Sequence, residues 1–330
     1  MVNVTNAPAA ASPEIDLESL TYMDELPKIW GRPWGAQSEM GHLRMVMVSR
    51  PSDNEASPDV RDNPHFFASQ GAFPNLPLMR KQHEELVKVL VDFGAEVVYF
   101  DPPAETIGPY GRLRMLWAPA SAFVINGGAI VPRYGLAPWR RGFEALLSRR
   151  LGELGIPILC TIHGEGIFEL GGNCQWLDPH HLVIGLGKST NYEGVRQIWP
   201  LLKDVGVSEI HLTNFKNTIH LDMAFGMASD WVAVVDPRCL EPSFLSYLRR
   251  KRIELIEVSP QEADNSACNT LVLKPGLVVL PAGNPKTANA LRERQVEVIE
   301  VDMSEFVKTG GGPHCATAGL IRDPGPLLLK

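Results

Sequence analysis

Residues 268–302 read CNTLVLKPGLVVLPAGNPKTANALRERQVEVIEVD and contain one complete candidate folding unit. Two apolar runs flank the dipeptide Pro275-Gly276, a helix-forming stretch begins at Pro285, and a β-branched run from Val296 closes the unit. Short apolar runs on either side of a Pro-Gly pair are typical of paired strands. The stretch therefore predicts the order strand, strand, helix, strand.

The same order of elements recurs in four other parts of the chain. The other units begin near Arg44, Ser121, Cys174 and His220, and the five predicted helices are Met79–Phe93, Trp139–Leu154, Tyr192–Val205, Pro242–Lys251 and Pro285–Arg294. Apolar residues in these helices recur at every third and fourth position, as a buried helical face requires. Units of roughly forty residues cannot each bury their own apolar face, so the pattern predicts an α/β fold in which ββαβ modules close into a ring.

Two other folds also alternate strands with helices. A generic α/β protein without true repeats stays open at this point. A doubly wound nucleotide-binding fold lacks its signature, because no glycine-rich turn follows a strand and opens a helix. The glycine run Gly310-Gly311-Gly312 precedes no helical pattern.

Composition limits the possible partners. The chain has 330 residues, of which 45% are hydrophobic and 21% charged, and its formal net charge is −7. This length supports a large buried core in one or two domains. Because the cationic residues are scattered, we expect no nucleic-acid partner and no anionic membrane partner. No apolar run is long enough to cross a bilayer.

The N-terminus and the cysteines predict the cellular location. Residues 1–16 lack the basic and apolar parts of a secretory signal, so this stretch is predicted to be a loose leader or arm. The five cysteines are widely spaced and include no C-x-x-C pair. That pattern argues against a disulfide framework or a structural zinc site, and it predicts a reducing, cytoplasmic location.

Three joints between the units carry unusual residues, namely EGIFELGGNC at 165–174, HLD at 220–222 and TGGGPHCAT at 309–317. Three glycines before Cys315 allow close approach of the backbone to a ligand and to a thiolate. His220 and Asp222 alternate on a strand-like run, which predicts that they share one face. An imidazole near a thiol lowers the thiol pKa and transfers protons, and a carboxylate holds a cationic or amide-like substrate.

Each of these signals also has a structural explanation, since a single cysteine is more often a small core residue than a nucleophile. Their combination favours Cys315 as nucleophile and His220 as its acid/base partner. Two further readings of His314 stay open, because it either tunes the thiol or caps a turn.

The repeat plan with its GGN, HLD and GGGPHC segments resembles the pentein superfamily of arginine deiminases, dimethylarginine dimethylaminohydrolases and amidinotransferases. The resemblance runs from Gly41 to the end of the chain, and it implies that residues 41–330 form a single catalytic domain preceded by an N-terminal arm at 1–40. It implies a five-bladed αβ-propeller with pseudo-fivefold symmetry, no metal or organic cofactor, and a homo-oligomer. It also implies that Cys315 forms a covalent adduct at an amidine-type carbon, with His220 as acid/base. Asp222 would then bind the substrate, and Asn173 occupies the place of a second carboxylate.

The chain departs from the arginine-directed members at three places, reading Leu-Trp-Ala-Pro at 116–119, Gly-Gly-Asn at 171–173 and Gly-Lys-Ser-Thr-Asn at 187–191. A buried guanidinium favours two carboxylates, and an amide in place of one removes a charge-assisted pair worth about 2 kcal/mol. We therefore expect a substrate other than plain arginine. Arginine-directed members often have an arginine in the third segment that helps hold the substrate carboxylate, where this chain has Ser189. Arg133, Lys188 and Arg322 are candidates to replace that arginine.

Several branches of the superfamily remain possible. Asn173 also resembles the dihydrolase branch, residues 108–111 and 133–138 and the ending from Arg322 resemble 2-nitroimidazole nitrohydrolase, and residues 190–194 with 137–140 resemble the amidinotransferases. The aromatic candidates for a neutral pocket, each of which is otherwise a core residue, are Trp117, Phe123, Tyr134 and Trp139.

The predicted site thus comprises catalytic Cys315 and His220, with the substrate-binding residues Asp222, Asn173, Gly172, Glu169, Trp117 and Arg133. Glu165 and Glu169 are candidates to orient His220. The predicted activity is hydrolysis of a C–N bond at an amidine- or guanidine-like carbon of a small molecule. The alternatives are amidine transfer, release of nitrite from a 2-nitroimidazole-like ring, and binding without catalysis.

Overall fold

The computed structural model describes residues 17–56, 74–101, 107–108, 111–112, 115–135 and 140–328. The predicted leader at 1–16, the segment 137–138 and Trp139 lie outside these residues.

Most strands of the described residues belong to five three-stranded sheets, numbered I to V in chain order. In each sheet the middle strand is antiparallel to one neighbour and parallel to the other. Sheet I contains β1 (Leu43–Val48), β2 (Glu96–Tyr99) and β17 (Thr317–Arg322); sheet II contains β5 (Phe123–Ile125), β6 (Gly128–Val131) and β7 (Ile158–Thr161); sheet III contains β8 (Cys174–Asp178), β9 (His181–Leu186) and β10 (Glu209–Asn214); sheet IV contains β11 (Phe225–Met227), β12 (Val232–Val235) and β13 (Glu254–Glu257); sheet V contains β14 (Leu271–Lys274), β15 (Leu277–Pro281) and β16 (Glu297–Val301). A separate pair joins β3 (Ile107–Gly108) to β4 (Gly111–Arg112).

One longer helix connects the two parallel strands of each sheet. These helices are α2 (Leu76–Phe93), α3 (Phe143–Glu153), α5 (Tyr192–Asp204), α6 (Pro242–Arg250) and α8 (Pro285–Glu293). The other helices are α1 (Tyr22–Ile29), α4 (Leu170–Asn173), α7 (Pro260–Asp264) and α9 (Ser304–Val307), with 3₁₀ turns at Leu17–Ser19, Asp53–Ala56, Pro119–Ser121 and Leu221–Met223. Helix α2 begins before the predicted Met79, because the Asn75 side chain accepts a hydrogen bond from the Leu78 N–H and caps it.

The first sheet is completed by the end of the chain. Strand β17 pairs with β1, so that Val46 lies opposite Gly319 and Val48 opposite Thr317. The sequence pattern placed only two strands of this unit after Arg44, and its third strand comes from the C-terminal segment instead. The two ends of the described chain therefore meet in one sheet.

Five apolar clusters join the sheets in a cyclic order. Each cluster combines buried residues of two sheets: Met47 with Val124 for I and II, Ile130 with Trp176 for II and III, Val183 with Phe225 for III and IV, Val234 with Val278 for IV and V, and Val279 with Val46 for V and I. Leu26 and Trp34, from the segment predicted to be an arm, are buried in the first of these clusters.

The mixed α/β fold and its five repeated units are confirmed in this form, and the pseudo-fivefold propeller stays a prediction. One local prediction is wrong: Leu221–Met223 is a 3₁₀ turn, and the strand begins only at Phe225. Helices of membrane-spanning length and apolarity do not occur in the described part of the chain.

We expect the closing strand to contribute strongly to stability. Leu320 of β17 is fully buried, whereas Leu327 is 56% exposed. Leu320→Ala should lower the free energy of unfolding by about 2–5 kcal/mol through lost burial and a cavity. Leu327→Ala, the matched control, should change it by less than about 0.5 kcal/mol. Urea denaturation of both variants measures the difference, and similar small values would contradict the closure of sheet I by β17.

Candidate active site

The glycine-rich segment before Cys315 is shaped by close contacts. A Cβ on Gly311 would lie 2.7 Å from the Trp117 ring, and one on Gly312 would lie 2.9 Å from the Asn269 side-chain oxygen. Gly310 has a φ of +89°, in the left-handed region that favours glycine. The three glycines are therefore needed for the path that brings Cys315 against its neighbours.

Asn269 holds the nucleophile segment in place. Its side-chain oxygen accepts hydrogen bonds from the N–H groups of Gly312 and Cys315, both at 3.0 Å. Its side-chain NH₂ donates to the Cys315 sulfur at 3.1 Å. The sequence prediction missed this residue. The available signal was its place at the head of the fifth unit, which corresponds to that of His220 in the fourth.

Asp222 is the centre of the hydrogen bonds around the thiol. Its Oδ2 atom accepts from the Cys315 thiol at 3.2 Å, from Asn269 at 3.1 Å and from the Nδ1 of His314 at 3.0 Å. Its Oδ1 atom is buried and has no hydrogen-bond partner among the described residues. The expected proximity of Asp222 to the nucleophile is present, but the thiol donates to this carboxylate rather than to a histidine.

The charges of this group are set by burial and by one another. Burial and the adjacent Asp222 carboxylate raise the pKa of the Cys315 thiol well above its ordinary value, so the thiol is protonated at neutral pH. Burial opposes ionisation of Asp222, but the hydrogen bond and charge of His314 hold its pKa below the usual range. Burial disfavours the His314 cation, yet bonds to Asp222 and Glu39 raise its pKa to about 10. The Glu39 carboxylate lies 3.4 Å from the His314 Nε2.

His220 is oriented by a carboxylate, as the sequence suggested for Glu169. The His220 Nε2 lies 2.8 Å from the Glu169 Oε2, while the Glu169 Oε1 accepts from the Gly135 N–H at 3.2 Å. Burial would raise the pKa of Glu169, but the hydrogen bond from His220 and the charges of His220 and Arg140 keep it below its ordinary value. A Cβ on Gly172 would lie 2.6 Å from the His220 ring, so glycine at this position lets the imidazole pack against the backbone.

Asn173 lies apart from the cavity that contains the other site residues. It is fully buried, its NH₂ group donates to the hydroxyls of Ser189 and Thr190, both at 2.9 Å, and its oxygen accepts from the Leu221 N–H at 3.1 Å. These bonds tie the 220–223 turn to helix α4 and to Ser189 and Thr190, which follow β9. The structure thus gives Asn173 a positioning contact rather than the place in the cavity that the sequence suggested.

One cavity brings most of the predicted residues together. It is lined by Trp117, Ala120, Ser121, Tyr134, Arg140, Glu169, Gly171, Gly172, Ile219, His220, Asp222, Met223, Gly310 and Cys315. Arg133 is not among them, because its guanidinium donates to the Gly166 carbonyl at 2.9 Å. Arg140 lines the cavity and brings a positive charge to it. The sequence prediction did not include Arg140 as a site residue. Of the other aromatic candidates, Phe123 stacks on Trp176 with ring centroids 5.8 Å apart.

The described residues contain no cluster of three or more His, Cys, Asp or Glu side chains arranged to hold a metal ion. The chemistry available in the cavity is that of a thiol, an imidazole–carboxylate pair and a buried carboxylate. Such a set can attack an electrophilic carbon, protonate a leaving group and hold an N–H donor.

Comparison with known proteins relates the chain to enzymes that act on C–N bonds. Residues 240–322 match the family model for arginine deiminase. The 2-nitroimidazole nitrohydrolase of Mycobacterium sp. (strain JS330) is 29% identical over 90% of this chain and 84% of its own length. The dimethylarginine dimethylaminohydrolase of Pseudomonas aeruginosa is 28% identical over 57% of this chain and 69% of its own length.

Among solved structures, an amidinotransferase of the saxitoxin pathway from Microseira wollei superposes with a TM-score of 0.71 at 17% identity, over 91% of this chain and 99% of its own. The chain belongs to the guanidine-modifying, or pentein, superfamily. The prediction that it is an enzyme of the hydrolase type acting on non-peptide C–N bonds is confirmed by its relatives, which include the nitrohydrolase and the dimethylarginine dimethylaminohydrolase.

We expect a methyl group at Gly172 to displace the imidazole. Gly172→Ala should reduce kcat on the order of a hundredfold, because the His220 ring must move away from the reacting atoms. Gly152→Ala is the control, since a Cβ there meets nothing within 4 Å in helix α3. That control should keep full activity and gain about 0.5–1 kcal/mol of stability. Initial rates and urea denaturation check both variants, and full activity of Gly172→Ala would contradict the packing of His220 on this glycine.

Removing the charge of Asp222 should make Cys315 easier to ionise. Because the negative carboxylate raises the thiol pKa, Asp222→Asn should shift the pH dependence of Cys315 alkylation to lower pH, and alkylation at pH about 8 should become faster. Turnover should fall at the same time. Peptide mass spectrometry after iodoacetamide treatment measures the shift, with Cys239 as control because its thiol contacts Asp236 instead. An unchanged Cys315 titration would contradict the electrostatic effect of Asp222.

Proposed function

We propose that the protein is a cysteine-dependent hydrolase that cleaves a C–N bond at an amidine-like carbon of a small molecule. The observation that carries this proposal is the shared cavity of Cys315, Asp222 and the His220–Glu169 pair. The Cys315 thiol is hydrogen-bonded to Asp222, the carboxylate that would bind the substrate's N–H groups. A substrate bound there would have its amidine carbon next to the sulfur. The superfamily relationship supports the same chemistry.

The reaction begins with attack of the Cys315 sulfur on the amidine carbon. The C–S bond forms as the C=N double bond opens, and the thiol proton moves to the substrate nitrogen. His220, as imidazolium, then protonates the leaving group, whose bond to carbon breaks. The product of this half-reaction is a cationic thioimidate on Cys315 and a neutral imidazole.

Water completes the cycle. It attacks the thioimidate carbon and gives one proton to His220, which restores the imidazolium. The tetrahedral adduct then collapses to a carbonyl, the C–S bond breaks, and the sulfur takes up the hydroxyl proton. The net change replaces the leaving group by a carbonyl oxygen at the cost of one water molecule.

The neighbours of these two residues have supporting roles in the proposal. Glu169 orients the imidazole and stabilises its cation, and Asp222 accepts an N–H from the substrate. Asn269 keeps the sulfur and the 312–315 backbone in place. Gly172, Trp117 and Arg140 lie in the cavity, while Arg133 and Asn173 act through other residues.

The arrangement of the sheets fits this site. We infer that sheets I to V are the blades of a five-bladed αβ-propeller, because the five apolar clusters link them cyclically. Residues 41–330 would then be one catalytic domain, to which the segment 17–40 adds packing residues. The homo-oligomer and the cytoplasmic location stay predictions.

A screen of possible substrates tests the proposal. The purified protein is incubated with arginine, methylated arginines, simple guanidines, ureido compounds and 2-nitroimidazole, and ammonia, amines and nitrite are measured. Cys315→Ala should abolish turnover, and His220→Asn should lower kcat by about 10²–10⁴-fold, the usual contribution of general acid–base catalysis.

Cys160→Ala is the matched control, because this half-buried cysteine lies in sheet II outside the cavity. It should keep full activity. Full turnover by Cys315→Ala would refute the covalent route. Turnover that requires an added acceptor amine, with ping-pong kinetics, would replace hydrolysis by amidine transfer.

A further inference from the structure

Each carboxylate of the described cavity lining already has a histidine partner within the protein. Asp222 already bonds to the cationic His314, which Glu39 also contacts. Glu169 bonds to His220, and Arg140 adds a positive charge to the lining. The place of a second substrate-binding carboxylate is occupied by Asn173, which is neutral and turned to other partners. Among the described lining residues, a guanidinium cation would therefore meet only carboxylates that already bond to a histidine.

Two polar atoms of the lining residues are nevertheless buried without a hydrogen-bond partner among the described residues. One is the Oδ1 of Asp222, an acceptor, and the other is the indole Nε1 of Trp117, a donor. Trp117 is 5% exposed and Asp222 is 1% exposed. An unmet buried polar atom costs about 1–3 kcal/mol, so such atoms call for a functional reason. One acceptor and one donor fit a ligand that has an N–H and a hydrogen-bond acceptor.

We propose that the substrate is a neutral, planar amidine-type molecule that donates an N–H to Asp222 and accepts a hydrogen bond from the Trp117 indole. This inference rests on the proposed function of Cys315 and specifies its substrate class. Azoles or ureido-like compounds with an acceptor beside the reacting carbon have this pattern. Trp117 is then a specificity-determining residue, and His314 is a positioning residue that keeps the Asp222 charge compensated.

Two isosteric alkylating probes separate a neutral from a cationic preference. Chloroacetamide is neutral and offers a carbonyl acceptor beside an NH₂ donor, whereas chloroacetamidine is cationic and offers donors only. The rate of Cys315 labelling by each probe is measured by peptide mass spectrometry and divided by its rate with free N-acetylcysteine. In the wild-type protein, the corrected rate of labelling by the amide should be about ten times the corrected rate of labelling by the amidine, which is the effect of one good hydrogen bond.

Variants of Trp117 and His314 show which residue causes the preference for the neutral probe. Trp117→Phe keeps an aromatic ring without the N–H, and it should slow amide labelling about fivefold to tenfold while amidine labelling changes less than about twofold. His314→Asn should shift the ratio towards the amidine, because Asp222 loses its compensating cation. Trp176→Phe is the matched control, since this buried tryptophan belongs to another cluster, and it should leave the ratio unchanged.

The outcomes distinguish this inference from the proposed function. Equal slowing of both probes by Trp117→Phe would overturn the donor role of the indole. A wild-type preference for the amidine would overturn the neutral substrate and leave the nucleophile assignment intact. Absence of Cys315 labelling by either probe at alkaline pH, with full labelling after denaturation, would instead refute Cys315 as an accessible nucleophile.

Discussion

The buried carboxylate of Asp222 is the interaction on which the site depends. One of its oxygens accepts three hydrogen bonds, from Cys315, His314 and Asn269. These donors come from the head of sheet V and from the segment that follows it. A buried charge is tolerated only when it is paired and hydrogen-bonded. Removing any of these partners would therefore leave the Asp222 carboxylate less well stabilised and would destabilise the site. The Asp222 carboxylate thus connects Cys315 with the segments that precede the first strands of sheets IV and V.

A second set of contacts holds the turn that carries Asp222. The Asn173 side-chain oxygen, at the end of helix α4, accepts from the Leu221 N–H, and the His220 ring packs on Gly172 while it bonds to Glu169. The site is consequently assembled from the segments that precede the first strands of sheets III, IV and V. The closure of sheet I by β17 then fixes the C-terminal segment directly after Cys315, which links the stability of the fold to the position of the sulfur.

Much of the fold was predictable because its signals are local. Apolar periodicity and turn dipeptides repeat within each unit, so the five helices and most strands were found within a few residues. The failures have physical causes. Strand β17 pairs with a strand far away in the sequence, which no local pattern encodes. The alternation of His220 and Asp222 also suits a short 3₁₀ turn, and the hydrogen bond from the Leu221 N–H to the distant Asn173 side chain, which supports that turn, is not visible in the local pattern.

The sequence by itself determined the repeated units and the glycine path to Cys315, because these depend on residues close together in the chain. For the acid beside His220 the sequence offered two candidates, and the fold selects Glu169, which lies 51 positions away in the chain. The tertiary structure decided what the thiol touches. Asp222 and Asn269 are 93 and 46 positions from Cys315, and their contact requires the unit ends to converge. It also decided the protonation of the thiol, the cation on His314 and the unmet donor of Trp117, since burial and the charge of neighbours control these properties.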